Sequence, residues 1–288
     1  MRYIDEEGTQ VTVYQPNERR GGLVWGLQQA AEDLSASRHV IVRLFWRDFI
    51  SQFRQKILGY LWALLGPLFG IVSFLFLYLV GVLRPGEGEI PYTVYLLMGI
   101  TIWGCLPGAM VAVSNGLQNQ ADLILRTRIP KLALAISSLA GVVYGILISM
   151  ITLSLVLLVM GVKPTWWFLA YPLLVLPMVL LGTALGLVLS VLGTIAKDLT
   201  PLVTQALSLV MFITPVIYLY STIQNPIIRS VIEWNPITYL VDIPRSLICL
   251  GRTEDFDIYL MVALATTVLV VIGLRVFYLL EDLVAERL

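Results

Sequence analysis

The 288-residue chain is 58% hydrophobic and 13% charged, against about 25% charged residues in ordinary soluble domains. That apolar surplus exceeds what one water-soluble core can hide, so the bilayer is the expected solvent. The formal net charge of zero excludes a general nucleic-acid partner, which requires a basic surplus.

Residues 1–37 are polar and contain glycine, with little periodicity. They are expected to form a cytoplasmic strap, extended or partly disordered. The first strongly apolar run begins only near Leu58, so no signal peptide is expected and the N-terminus is expected to stay inside. Between the two lies 38–57, expected as an amphipathic interface helix. At about 100° per residue, Val42, Phe45, Trp46, Phe49, Ile50, Phe53 and Ile57 share one arc. Arg43, Arg47 and Arg54 form a stripe beside Asp48, Ser51, Gln52 and Gln55. This pattern suits a helix lying in the interface, with arginines toward lipid phosphates or a partner. A plain anchor for the first span is the alternative.

A membrane span needs about 20 mostly apolar residues. Six runs qualify: 58–83, 92–116, 132–162, 166–195, 199–220 and 258–280. The first five contain no Lys, Arg, Asp or Glu, and Arg275 lies close enough to the end of the sixth to snorkel. With the N-terminus inside, the inside segments carry 14 Lys/Arg and the outside ones 5. That bias predicts both termini in the cytoplasm. Gly182, Ala184, Gly186 and Ser190 in the fourth run permit close helix contacts.

Two connectors carry further pattern. Residues 120–128 read as a short inside helix with Asp122 as N-cap, Leu123 and Ile124 as apolar knobs, and Arg126 and Arg128 following. An ordinary basic turn is the alternative. The outside segment 221–257 reads as two short helices dipping into the outer leaflet, with Asn235-Pro236 at the break. It is read as an outer gate, with a surface lid as the alternative. Tyr92, Tyr95, Trp103, Tyr218, Tyr220, Trp234 and Tyr239 collect near the outer ends of these elements. Aromatic faces suit sliding sugar rings, and they also suit an interfacial belt.

The two cysteines, Cys105 and Cys249, read as small apolar packers. No His/Cys/Asp/Glu cluster has metal-ligand spacing and no Ser/His/Asp set is assembled. The phosphate loop G-x-x-x-x-G-K-[ST] is missing from the sequence, so ATP is not expected to bind this chain that way. Spans without ionisable groups also speak against an ion-driven carrier.

The run RDFISQFRQKILGYLWALLGP resembles the helix-to-span junction of permease subunits of polysaccharide-export ABC transporters, within the type-2 ABC permease family. NQADLILRTRIP (119–130), KDLTPLV (197–203), ITPVIY (213–218) and WNPITYLVDIPRSL (234–247) resemble further family segments, in the same order. The likeness runs from about 38 to 288. Asp122 stands where the family usually has Asn, Lys197 where Arg is common, and Leu125 in one of two usual Lys positions.

The resemblance implies an all-α polytopic protein of six transmembrane helices, with the N-terminal interface helix and re-entrant helices between spans five and six. It implies that 120–128 is a coupling helix seated on a cytoplasmic ATP-binding subunit through Asp122, Leu123, Ile124, Arg126 and Arg128, flanked by Arg43, Arg47 and Arg54. ATP and Mg would then reside in two copies of that partner, with none in this chain. A second copy of the chain would complete a channel in the bacterial inner membrane. Tyr92, Tyr95, Trp103, Tyr218, Tyr220, Trp234, Asn235, Pro236 and Tyr239 would serve channel and gate. The implied cargo is a lipid-linked polysaccharide, O-antigen foremost. Capsular polysaccharide, teichoic acid or a smaller lipid or drug stays open. The rival classes are a membrane-embedded transferase on a lipid carrier and a passive channel.

Overall fold

The computed structural model describes residues 2–4, 10–12, 23–54, 59–83, 88–120, 129–220 and 223–287. Its N-terminal strands β1 (Arg2–Ile4) and β2 (Gln10–Thr12) pair antiparallel, with Tyr3 opposite Val11. The described residues after them are mostly helical.

The expected strap is in part a helix. α1 spans Leu23–Ala36 and α2 spans Arg38–Arg54. Trp25, Ala30 and Leu34 turn inward along α1, and Gln29 donates to Asp33 one turn on, at 3.0 Å. Three inward positions in fourteen residues are too few for periodicity to stand out, and tertiary packing supplies the rest.

The membrane-facing body begins with α3 (Gly59–Leu79) and α4 (Tyr92–Gly116). The third apolar run is not one helix. α5 (Lys131–Ser137) and α6 (Ala140–Val159) are separated at Ser138-Leu139, where the Ser137 and Ser138 hydroxyls bond back to the carbonyls of Leu134 and Ala135. The fourth run opens with a 3₁₀ turn at Trp166–Ala170 and the single-turn α7 (Tyr171–Leu174) before α8 (Leu176–Ile195). Pro172 and Pro177 each sit in a first turn, where the missing N–H costs nothing. The fifth run is helical only over α9 (Leu199–Ile213), because Thr214 precedes Pro215 and is driven out of the helical region. α10 (Pro226–Trp234), α11 (Pro236–Leu250) and α12 (Phe256–Arg287) complete the chain.

Among the described residues, four stretches are long and apolar enough to cross a bilayer: Tyr92–Gly116, Lys131–Val159, Trp166–Gly193 and Phe256–Leu280. Leu64–Leu79 and Leu199–Ile213 are apolar but shorter. The chain is a helical, polytopic membrane protein.

α4 is the central post, packed against α3, α6, α8, α9 and α11. α8 lies against both α4 and α12. The approach is close because glycine permits it. A Cβ on Gly186 would sit 2.8 Å from the Met110 carbonyl oxygen of α4, and one on Gly273 of α12 would sit 2.9 Å from that of Ala184. Two apolar cores result. The larger gathers around α4, α8 and α11. The smaller joins Ala30 and Leu44 of the N-terminal helices to Leu132, Leu134, Val191 and Phe277. The end of the bundle that α1 and α2 cover is called the collar end below, and the opposite one the far end.

Candidate functional site

The far end is organised by one break in the backbone. After α9 the chain runs through Thr214–Pro215–Val216–Ile217–Tyr218 without helix, so its carbonyls lack their usual partners. Four of these five residues are nevertheless buried, and only Tyr218 is half-buried. In a membrane each unsatisfied group costs several kcal/mol, and side chains from two other helices supply the donors.

Arg245 of α11 is fully buried. Its Nη1 donates to Asp242 Oδ1 at 3.0 Å and to the Pro215 carbonyl at 3.3 Å, and its Nη2 donates to the Pro215 and Val216 carbonyls at 3.3 Å each. The guanidinium lies over the Tyr95 ring, 3.6 Å from the centroid. From α4, the Tyr95 hydroxyl donates to the carbonyls of Pro215 at 3.1 Å and Tyr218 at 2.8 Å, and Tyr92 donates to Ile217 at 2.9 Å. Gly99 leaves room for the assembly, since a Cβ there would strike both Arg245 Nη2 and the Val216 carbonyl.

Asn235 joins this break to a second one. Its carbonyl oxygen caps α11 by accepting from the Ile237 N–H at 3.1 Å, while its amide donates to Thr214 Oγ1 at 3.0 Å. Thr238 accordingly hydrogen-bonds back to the Ile232 carbonyl at 2.9 Å. The other end of α11 stops at Gly251, in the left-handed region at φ 73°, and Thr165 caps the Leu247 and Ile248 carbonyls there.

The expected aromatic residues therefore divide. Tyr92, Tyr95 and Trp103 are buried in the larger core. The two tyrosine hydroxyls are consumed by the broken backbone. Tyr218 donates to the last α9 carbonyls, Phe212 at 3.2 Å and Ile213 at 3.1 Å. Tyr220, Trp234 and Tyr239 stay at the surface, with Trp234 87% exposed. Pro236 is exposed beside Asn235, at the first position of α11. Tyr220 accepts from Arg229 at 3.0 Å and donates to Glu233 at 2.9 Å, and Arg229 also pairs with Glu233 at 2.9 Å. Those bonds from Arg229 and then Tyr220 hold the Glu233 carboxyl below the ordinary carboxylate range.

At the collar end, α2 buries Leu44 and packs Phe49 edge-on against Tyr144 at 5.9 Å. The arc read from the wheel is split by this contact. Val42, Trp46 and Ile50 point outward as an exposed stripe, while Phe45 and Phe49 flank the buried side. Arg43 and Arg47 are exposed, and Arg47 pairs with Asp48 at 2.8 Å. The side chain of Arg54, and Asp122, Leu123, Ile124, Arg126 and Arg128 altogether, lie outside the described residues. Arg275 is half-buried beneath α1, with its guanidinium 5.3 Å from the Trp25 ring centroid.

Sequence reading missed Arg245 as a site residue. The available signal was a lone arginine inside an apolar helical run, three residues after Asp242, since arginine is almost never fully buried unless paired.

Comparison with known proteins adds the following. The ABC-2 type transporter family model matches residues 39–248. The O-antigen export system permease protein RfbA of Myxococcus xanthus is 24% identical over 257 residues, covering 89% of this chain and 98% of its own. A protein of the same name from Klebsiella pneumoniae is 24% identical over 244 residues, covering 84% and 92%. Another from that organism is 22% identical over 244 residues.

Proposed function

The chain belongs to the ABC-2 type transporter family, and from that membership we propose that it is the membrane subunit of an ABC exporter carrying lipid-linked O-antigen from cytoplasm to periplasm. The observation that carries this reading is the end-to-end likeness to permeases named for O-antigen export. In this reading the six apolar runs are six spans. α9 crosses with help from the extended chain after it, because fifteen helical residues reach only about 22 Å. Both termini and the collar lie in the cytoplasm. α10 and α11 dip into the outer leaflet as a gate.

Energy then enters from outside the chain. A separate ATP-binding subunit, two copies with ATP and Mg, closes on hydrolysable nucleotide and pushes the coupling segment 120–128. The interface helix α2 moves with it through Arg43, Arg47 and Arg54. A second copy of the chain encloses the conduit, and the exposed Leu202, Leu209, Phe212 and Ile213 of α9 offer it an apolar face. Of the aromatics, Tyr220, Trp234 and Tyr239 are left to meet sugar. Their rings permit sliding, which a polymer in transit requires.

Replacing Leu123 and Ile124 together by Asp tests the coupling. Export is expected to fall to background while the protein still inserts and stays monodisperse. Co-purified ATPase activity is expected to lose its dependence on this chain. Export at the wild-type rate from the double variant would exclude the coupling role.

A further inference from the structure

α9 is a helix fastened at its ends. Between Pro201 and Ile213 only Leu207 is buried, while Leu202, Leu209, Phe212 and Ile213 turn outward. Packing along its length is therefore slight. Its hydroxyls divide accordingly. Thr204 and Ser208, along the helix, turn theirs back on the Thr200 and Thr204 carbonyls at 2.8 and 3.1 Å. Thr200 and Thr214, at its two ends, reach other elements.

The collar-end contact joins the ends of α4, α8 and α9. Ser114 in the last turn of α4 is fully buried, and Thr200 in the first turn of α9 is nearly so. Their hydroxyls lie 2.6 Å apart, so one donates to the other. Gln118, just beyond α4, donates from Nε2 to the Gly193 carbonyl of α8 at 3.3 Å. Gly193 sits beside both bonds: a Cβ there would lie 3.5 Å from Thr200 Oγ1 and 3.6 Å from Gln118 Nε2. Ser114 could have turned back on its own helix, as Thr101 does toward the Leu97 carbonyl of α4 at 2.8 Å. It reaches across instead. The chain that leaves this node is the connector 120–128.

The far end closes the same pair of helices. Tyr92 and Tyr95 of α4 donate to the carbonyls of Ile217, Pro215 and Tyr218, and Thr214 accepts from Asn235 between α10 and α11. From Thr200 to Thr214 the distance is about 21 Å at 1.5 Å per residue. Hydrogen-bonded elements that move as units carry coupling between distant sites. We propose that α4 and α9 form one frame, and that the Ser114–Thr200 bond is its collar-end pin. Displacement of the coupling connector pulls on the end of α4. The pin makes α9 follow, so both legs reach the joint at Thr214 and Asn235 together. With the pin cut, α4 moves and the collar end of α9 slips. Ser114 and Thr200 are positioning residues in this scheme, acting through the helices they join.

The inference rests on the export reading. The test uses the full chain with its ATP-binding subunit, in cells where this chain is the sole copy. Two quantities are read together: polysaccharide reaching the cell surface, by antibody, and ATP hydrolysed by the complex purified from those cells. Thr200→Val keeps the shape and removes one hydroxyl; Ser114→Ala removes the other and leaves α9 untouched. In each, export is expected to fall about fivefold, the scale of one hydrogen bond, at an ATPase rate near wild type. The double variant is expected to fall no further, since both changes cut the same bond. Thr200→Ser keeps the hydroxyl and is expected to restore export. A bond that only packs the node would lower export, ATP hydrolysis and melting temperature together, or give additive losses, and either result overturns the proposal. Full export from both single variants overturns it too and leaves the export reading standing. A wild-type chain that brings no polysaccharide to the surface removes that reading, and the frame with it.

Discussion

The two ends of this molecule treat exposed backbone and charge in opposite ways. At the far end the chain breaks its helix at Thr214 and then covers the freed carbonyls with its own buried side chains: one guanidinium and two phenols. At the collar end, Arg43 and Arg47 are left at the surface, and α2 turns Val42, Trp46 and Ile50 outward. The difference follows from what each end can count on as solvent. Where neither water nor a partner is at hand, irregular backbone survives only if protein satisfies it. Where water or another subunit is at hand, charge and apolar surface can wait uncovered.

The sharpest way to break that comparison is Arg245→Met. The substitution keeps volume and removes every donor to Pro215 and Val216 from α11. Each buried carbonyl left without a donor costs about 1–3 kcal/mol, so a fall of roughly 10 °C in melting temperature is expected in nanodiscs. Lysine is not a substitute, since it cannot span both carbonyls and Asp242 in one plane. A melting temperature within about 2 °C of wild type would mean that the break is held by something else. A smaller effect is expected where the collar meets the body. The Tyr278 hydroxyl donates to Asp33 Oδ2 at 2.7 Å, and Trp25 sits edge-on to its ring at 6.0 Å. Tyr278→Phe keeps the ring contact and loses only the hydrogen bond, a loss of about 1 kcal/mol. Hydrogen exchange over α1 should rise in step while α4 stays protected. Equal loosening of both would show that α1 and the bundle open as one unit.

The apolar runs of the sequence announce the membrane helices, because spans advertise themselves by length and composition. Their interruptions are less legible. Pro215 marks the end of α9 plainly, but Ser138-Leu139 splits the third run with no proline or glycine, through serine back-bonding that depends on the packed surroundings. The tyrosines illustrate a second limit. Tyr92 and Tyr95 have the same composition signal as a belt or a sugar platform, and only the fold reveals that carbonyls 120 and more residues away claim their hydroxyls. α1 was hidden by its dependence on α12, since its inward side chains share a core with Phe277 and Tyr278.

The smallest effect on stability separates fold from contact at the collar. Arg47 and Asp48 are sequence neighbours whose side chains pair at 2.8 Å while remaining 53% and 28% exposed. Such pairs are worth about 0–1 kcal/mol, so Arg47→Ala is expected to move the melting temperature by about 2 °C or less. The arginine also lines a polar cleft beside Asn119 and Gln120. If its charge serves the ATP-binding subunit rather than Asp48, the same variant should lower export about threefold, and Arg47→Lys should restore most of it. A large thermal loss with unchanged export would turn the comparison around: the collar would then be as self-contained as the far end, and its exposed charges part of the fold.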